Sequence, residues 1–166
     1  EQIKDYEGAA AVYNEVLAEH PGDIYALGGI TNLYLTQELP ERAIALLKKT
    51  IKLADNTDSP QAGSINREAV ELLLGELYTN QKRYGEAIAL YDQLAQVDQT
   101  DFRPILAKAL VLEKKGDLNA AQPVLQKAYI AAPEQYKDQI GQEMERIVKE
   151  IKISEADNQE SSLTIE

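Results

Sequence analysis

The chain has 166 residues with a formal charge of −11, no cysteine, no tryptophan, and an apolar content weighted toward Ala and Leu. Without cysteine there is no disulfide framework and no thiolate metal site. The acidic balance repels a phosphate backbone, which excludes nucleic acid as a partner, and no stretch reaches the roughly 20 apolar residues of a bilayer span, which excludes membrane insertion within this segment.

Ala and Leu form helices well and fill β-sandwich cores poorly, and the spacing of apolar residues predicts eight helices. In chain order they cover residues 5–19, 24–37, 40–54, 64–81, 84–96, 102–115, 119–131 and 134 to about 153. Pro21-Gly22, Gly116-Asp117 and Pro133 stand between them as turn signals, while Pro40 and Pro104 fall in first helical turns, where a missing N–H costs little. Pro123 lies about one turn inside its helix, so the start of that helix is expected to move downstream.

The last helix carries Tyr136, Ile140, Met144, Ile147, Val148 and Ile151 at helical spacing, opposite Lys137, Asp138, Glu145, Arg146 and Lys149. Such a stripe suits a terminal cap that shields the preceding helices from water. Residues 154–166 are acidic and aperiodic, which predicts a mobile tail. Docking of Leu163 and Ile165 on another surface is a competing expectation.

Small residues recur along the chain. Ala9, Ala43, Ala87 and Ala121 step by 34, 44 and 34 residues, with a large residue four positions after three of them (Tyr13, Leu47 and Tyr91) and Leu125 after the last. A second ladder of Tyr34, Tyr78 and Leu112 runs nine residues ahead of three of those alanines. The small residue lets two helices approach closely, and the large one fills the space left by their crossing. The fullest copy, Leu74-Gly75 and Tyr78 followed by Tyr84, Ala87 and Tyr91, resembles the tetratricopeptide signature of a helix-turn-helix unit of about 34 residues. Glu71 stands in its Trp slot and Gln99 in its closing Pro slot.

That resemblance covers roughly residues 5–135 and implies an all-α fold, a right-handed α-α superhelix of antiparallel helix pairs with a C-terminal capping helix. A helical repeat domain over 1–153 then contains a partial first repeat (5–23), repeats at 24–57, 68–101 and 102–135, an insertion at 58–67 and a cap at 134–153. The insertion reads as a surface loop plus an extra helical turn, tolerated between units, with a contact loop beside a groove as the alternative. In the partial repeat, Val12, Tyr13, Val16 and Leu17 lack a covering helix. Either a segment upstream of Glu1 covers them, one that could include a targeting or anchoring stretch, or a second copy of the chain does.

Catalytic chemistry finds little footing. His20, the only histidine, precedes Pro21 at a helix end and reads as a turn residue. Gly28-Gly29 is followed by no Lys-Ser/Thr pair and lies in a helical pattern, so close helix packing or an open groove floor replaces a phosphate loop. Residues Asp55 to Asp58 have oxygen ligands, but Pro60 occupies the middle position where a calcium loop needs Gly. Glu15, Glu41, Glu76 and Glu113 fall on separate helices. No catalytic, cofactor or metal site is expected.

The resemblance further implies that the first helix of each pair lines a concave, partner-binding groove. Mapped onto this chain, that face gives Tyr25, Gly28, Gly29, Asn32, Leu35 and Thr36, then Ala69, Leu72, Leu73, Glu76, Thr79 and Asn80, then Arg103, Leu106, Ala107, Leu110, Glu113 and Lys114. Some family members grip an acidic chaperone C-terminus with Lys, Asn and Arg on this face. Here Gly28, Asn32, Leu73, Arg103 and Ala107 stand in those slots, and only Asn32 and Arg103 fit. The expected function is a scaffold or adaptor that binds a helix or extended peptide. A dimerisation module of a larger, membrane-tethered assembly factor is the alternative. Replacing Leu73 and Leu106 by Asp is expected to remove binding without unfolding the protein.

Overall fold

The computed structural model describes residues 6–163. Eight α-helices follow in order: α1 (Tyr6–Glu19), α2 (Ile24–Thr36), α3 (Pro40–Asp55), α4 (Arg67–Asn80), α5 (Tyr84–Val97), α6 (Phe102–Lys114), α7 (Leu118–Ala131) and α8 (Glu134–Leu163). A 3₁₀ turn, Ala62–Ser64, sits between α3 and α4, and no strand occurs among the described residues. Residue 5, with which the first helix was expected to begin, lies outside the described residues, as does Ile165.

Helix starts follow their caps. The side chains of Asp23, Asn66, Asp101 and Asp117 accept backbone N–H groups of Ala26, Ala69, Arg103 and Ala120, satisfying donors that a helix leaves orphaned. The cap at Asn66 explains why α4 starts at Arg67 rather than at the expected residue 64. Asp117 likewise starts α7 at Leu118, so Pro123 does not push the start downstream; it stays inside the helix on the solvent side. At the other end, α8 runs to Leu163, ten residues past its expected end near Ile153, so most of the expected tail is helical.

The chain divides into two compact units, residues 1–81 and 82–166. In the first, α1 packs on α2, α2 on α3 and α3 on α4. Leu27, Ile30, Ala43, Leu47 and Val70 have no exposed surface. Burying a Leu or Ile side chain contributes on the order of 1.5–3 kcal/mol, so these residues dominate the stability of the unit. The α2–α3 turn closes with Glu38 N–H donating to Leu35 O at 3.0 Å and Leu39 N–H to Tyr34 O at 2.8 Å. This is the Schellman pattern, and it holds Glu38 at φ 59°.

Two close approaches fix this unit. The ring of Tyr13 lies on the bare backbone of Gly29, where a Cβ would come within 2.6 Å of Tyr13 Oη. The insertion folds back on the α1–α2 turn, because a Cβ at Gly22 would lie 2.8 Å from Ile65 Cα, and Ile65 itself is buried. The extra turn expected in the segment 58–67 is the 3₁₀ turn Ala62–Ser64, and the buried Ile65 ties its second half to the domain.

In the second unit α5, α6, α7 and α8 pack in sequence. Ala87, Ala121 and Leu125 are fully buried, so the small-residue ladder points into the core here as Ala43 does in the first unit. The α6–α7 turn repeats the Schellman pattern, with Gly116 N–H to Glu113 O at 2.7 Å and Asp117 N–H to Leu112 O at 2.9 Å. The left-handed position is Gly116, φ 87°, and in the α4–α5 turn it is Lys82, φ 57°. Ile140 and Ile147 of α8 join the core around Phe102, Ala109 and Leu112, as a capping face should. The rings of Phe102 and Tyr136 meet at 5.0 Å. Arg146 of α8 pairs with Glu113 of α6 and with Glu143 and Glu150 on its own helix. Glu113 first and then Glu143 hold the guanidinium in its charged form, raising its pKa further above an already high value.

Candidate functional site: a polar-rimmed groove on α2 and α4

The expected groove residues fall in both units. In the first, Gly28, Asn32 and Leu35 of α2 face Leu73, Glu76 and Asn80 of α4 across a cavity of about 100 Å³ that Thr31 and Leu77 also line. A Cβ at Gly28 would meet nothing within 4 Å, so the missing side chain leaves the groove open. Gly29 is different: its backbone faces Tyr13 and belongs to the α1–α2 packing, not to the groove floor. Leu72 is half-buried and does not line this cavity. Tyr25 is 87% exposed at the start of α2, which leaves its ring free for a ligand.

The walls are apolar and the rim is polar. Helix α2 carries no charged residue between Ile24 and Thr36. Asn32, Glu76 and Asn80 are exposed, and no side chain among the described residues pairs with Glu76. Thr31, which lines the same cavity, is only 3% exposed, and its Oγ1 has no hydrogen-bond partner among the described residues. A buried hydroxyl left unsatisfied costs roughly 1–3 kcal/mol. Sequence reasoning passed over Thr31 because it falls between the groove positions in the helical repeat.

At the base of α4, Glu71 occupies the slot where the repeat signature has Trp and is only 6% exposed. Arg67 grips it at 2.9 Å and also reaches Asp55 of α3 at 2.9 Å. Burial pushes the Glu71 carboxyl above the usual range; Arg67 opposes this shift and Asp55 adds to it. The carboxylate thus lies inside the helix packing rather than in the groove.

In the second unit, Arg103, Leu106 and Leu110 lie on α6. Arg103 is exposed and held by the carboxylate of Asp101 through Nε and Nη2, each at 2.9 Å. Leu106 packs against the core of Phe102, Leu112 and Ile140, and Leu110 is half-buried. An Asp at Leu106 would place a charge against that core, so the expectation that this substitution spares folding does not hold.

Of the expected self-association set, only Val12 is well exposed, at 60%. Tyr13 is engaged by Gly29, and Val16 and Leu17 are half-buried. Leu17 lines a second cavity, about 380 Å³, with Asn14, Pro21, Leu46, Lys49 and Leu53. Its counterpart in the second unit is lined by Asp92, Ala95, Val124 and Lys127, which take the places of Asn14, Leu17, Leu46 and Lys49 when the alanine ladders are superposed. There Lys108 pairs with Asp92 at 2.6 Å.

Two models of the tetratricopeptide repeat match the sequence, over residues 4–65 and 72–104. The chain belongs to the tetratricopeptide repeat family. No curated protein matches it at a significant level. Among solved structures it is similar to MamA MSR-1, with TM-score 0.54 and 17% identity over 88% of this chain and 77% of that one. It is also similar to the MamA RS-1 double mutant, with TM-score 0.53 and 17% identity over 92% and 88% of the two chains. At these identities the likeness shows the fold alone. Tetratricopeptide repeats are protein-interaction scaffolds, and this all-helical chain carries that role as a member of the family. Among the described residues no helix is long and apolar enough to cross a membrane.

Proposed function

We propose that this tetratricopeptide protein is a non-enzymatic scaffold that holds a helix or an extended peptide of another protein in the groove between α2 and α4. The observation that carries the reading is the open cavity above Gly28, with Leu35 and Leu73 as apolar walls and Asn32, Glu76 and Asn80 at the rim. Apolar anchors buried on such walls supply most of the driving force for peptide capture, while rim amides fix the orientation of the peptide backbone. Tyr25 adds an exposed ring beside it. Arg103, Leu106 and Leu110 on α6 form a further contact surface in the second unit.

Gly28→Met tests this directly. A Cβ there meets nothing within 4 Å and the flexible Met chain extends into the cavity, while losing a helical glycine favours the fold by about 0.5–1 kcal/mol. The variant is expected to melt no lower than the wild type and to lose binding of peptides selected on the wild type. Undiminished binding would move the site away from this groove.

One observation favours self-association as a second reading: α1 has no fully buried side chain, and Val12 stands in solvent. A second copy packed on α1 makes the sedimentation coefficient rise with concentration, and Val12→Glu abolishes that rise. A coefficient independent of concentration counts against it.

A further inference from the structure

Resting on the groove reading above, we propose that the cavity between α2 and α4 takes a cationic side chain, Lys or Arg, from the bound peptide, with Glu76 as its counter-ion. Three features place a cation there. Glu76 is a carboxylate at the rim with no partner among the described residues, opposite a helix without a single charge of either sign. Asn32 and Asn80 stand with it and offer amide oxygens to the remaining N–H donors of an ammonium or guanidinium. Thr31 also lines the cavity, and its buried Oγ1 has no partner among the described residues, so rotation of its side chain toward a bound donor supplies the bond it lacks.

Size and charge agree with this occupant. About 100 Å³ holds roughly three waters or the end of one side chain, and Leu35 and Leu73 are placed to cover the methylene stem, as amphipathic cations require. A free metal ion fits poorly, because one carboxylate and neutral amides make a weak set for a hard divalent cation. Elsewhere in the chain a guanidinium already serves a helix-surface carboxylate in this way: Glu113 on α6 is met by Arg146 from α8, although the repeat position of Glu76 itself is Leu110 in the second unit. The net charge of −11 draws basic segments toward the protein. This preference is the reverse of the acidic peptide tails that the Lys, Asn and Arg clamp of other family members takes.

The test selects 12-residue peptides from a random display library on the whole protein, then measures affinities of the synthesised winners for wild type, Glu76→Lys, Thr31→Val and Gly28→Met. The expected winners carry Lys or Arg at a fixed distance from an apolar residue. Replacing that residue by Gln, or Glu76 by Lys, is expected to weaken binding tenfold or more. Selection on Glu76→Lys should instead yield Asp or Glu at that place, and Thr31→Val should weaken binding while leaving the free protein no less stable. Winners that depend on Gly28 but carry no basic residue, or that bind Glu76→Lys equally well, overturn the cation site and leave the groove reading standing. Winners indifferent to Gly28→Met, or a selection without winners, overturn both.

Discussion

Tyr13 of α1 lies against Gly29 of α2 so closely that the glycine has no room for a methyl group, while its neighbour Gly28 faces open space. Two adjacent glycines in one helix therefore serve opposite purposes. Gly29→Ala forces the Tyr13 ring away and is expected to cost about 1–3 kcal/mol, as overpacking does. Gly28→Ala is expected to stabilise by about 0.5–1 kcal/mol, because alanine loses less backbone entropy in a helix. Urea unfolding of the two variants checks this, and equal effects would show that the α1–α2 contact is not so tight.

The contact between Gly22 and Ile65 makes a similar prediction for the insertion. At Gly22 the obstacle is the Ile65 backbone at 2.8 Å, which cannot swing aside like a flexible side chain. Gly22→Ala is expected to lower stability by about 1–3 kcal/mol. Gly63→Ala, with nothing within 4 Å, serves as the control. A melting temperature unchanged by Gly22→Ala would make the insertion a loose loop.

Glu38 and Lys82 hold the left-handed turn position that Gly116 fills in the last pair. A non-glycine residue there costs on the order of 1 kcal/mol. Both Glu38→Gly and Lys82→Gly should therefore raise stability by about 0.5–1 kcal/mol, and Gly116→Ala should lower it by about as much. Shifts of the opposite sign in denaturant midpoints would refute the turn geometry.

Glu71 links stability to pH. Burial raises its carboxyl pKa in the folded protein above the unfolded value of about 4.3. The unfolded chain therefore releases this proton first as pH rises. The stabilising contribution is complete below about pH 4.3 and is lost as pH climbs through the raised folded value. Glu71→Gln cannot ionise, so its unfolding free energy relative to wild type should move in the variant's favour from pH 4 to pH 7. A constant difference across that window would mean that Arg67 offsets the burial fully.

Much of the fold was legible in order of residues. The ladder of Ala43, Ala87 and Ala121, with Leu47, Tyr91 and Leu125 four positions on, marks the core because helical spacing puts those positions on one face, and all six are buried. Most helix ends came within a residue or two, because they depend on caps and turns that are local. The longer misses have local causes as well: the side chain of Asn66 caps α4 past the expected start at residue 64, and the sequence after Ile153 stays helical without an apolar stripe to announce it.

What the sequence by itself determined is the repeat, the family it resembles and the acidic balance; that α2, α4 and α6 line a groove is what the resemblance implies. Only the tertiary structure decided which residues of those helices meet. It set Gly29 under Tyr13 and Gly28 under open space, drew Ile65 onto Gly22, packed the half-buried Leu106 against the core, and, among the described residues, left both the buried Thr31 hydroxyl and Glu76 on the same cavity without a partner. The physical reason is that helical periodicity specifies a face to within about a third of the circumference, whereas close packing of one helix on another discriminates by fractions of an ångström.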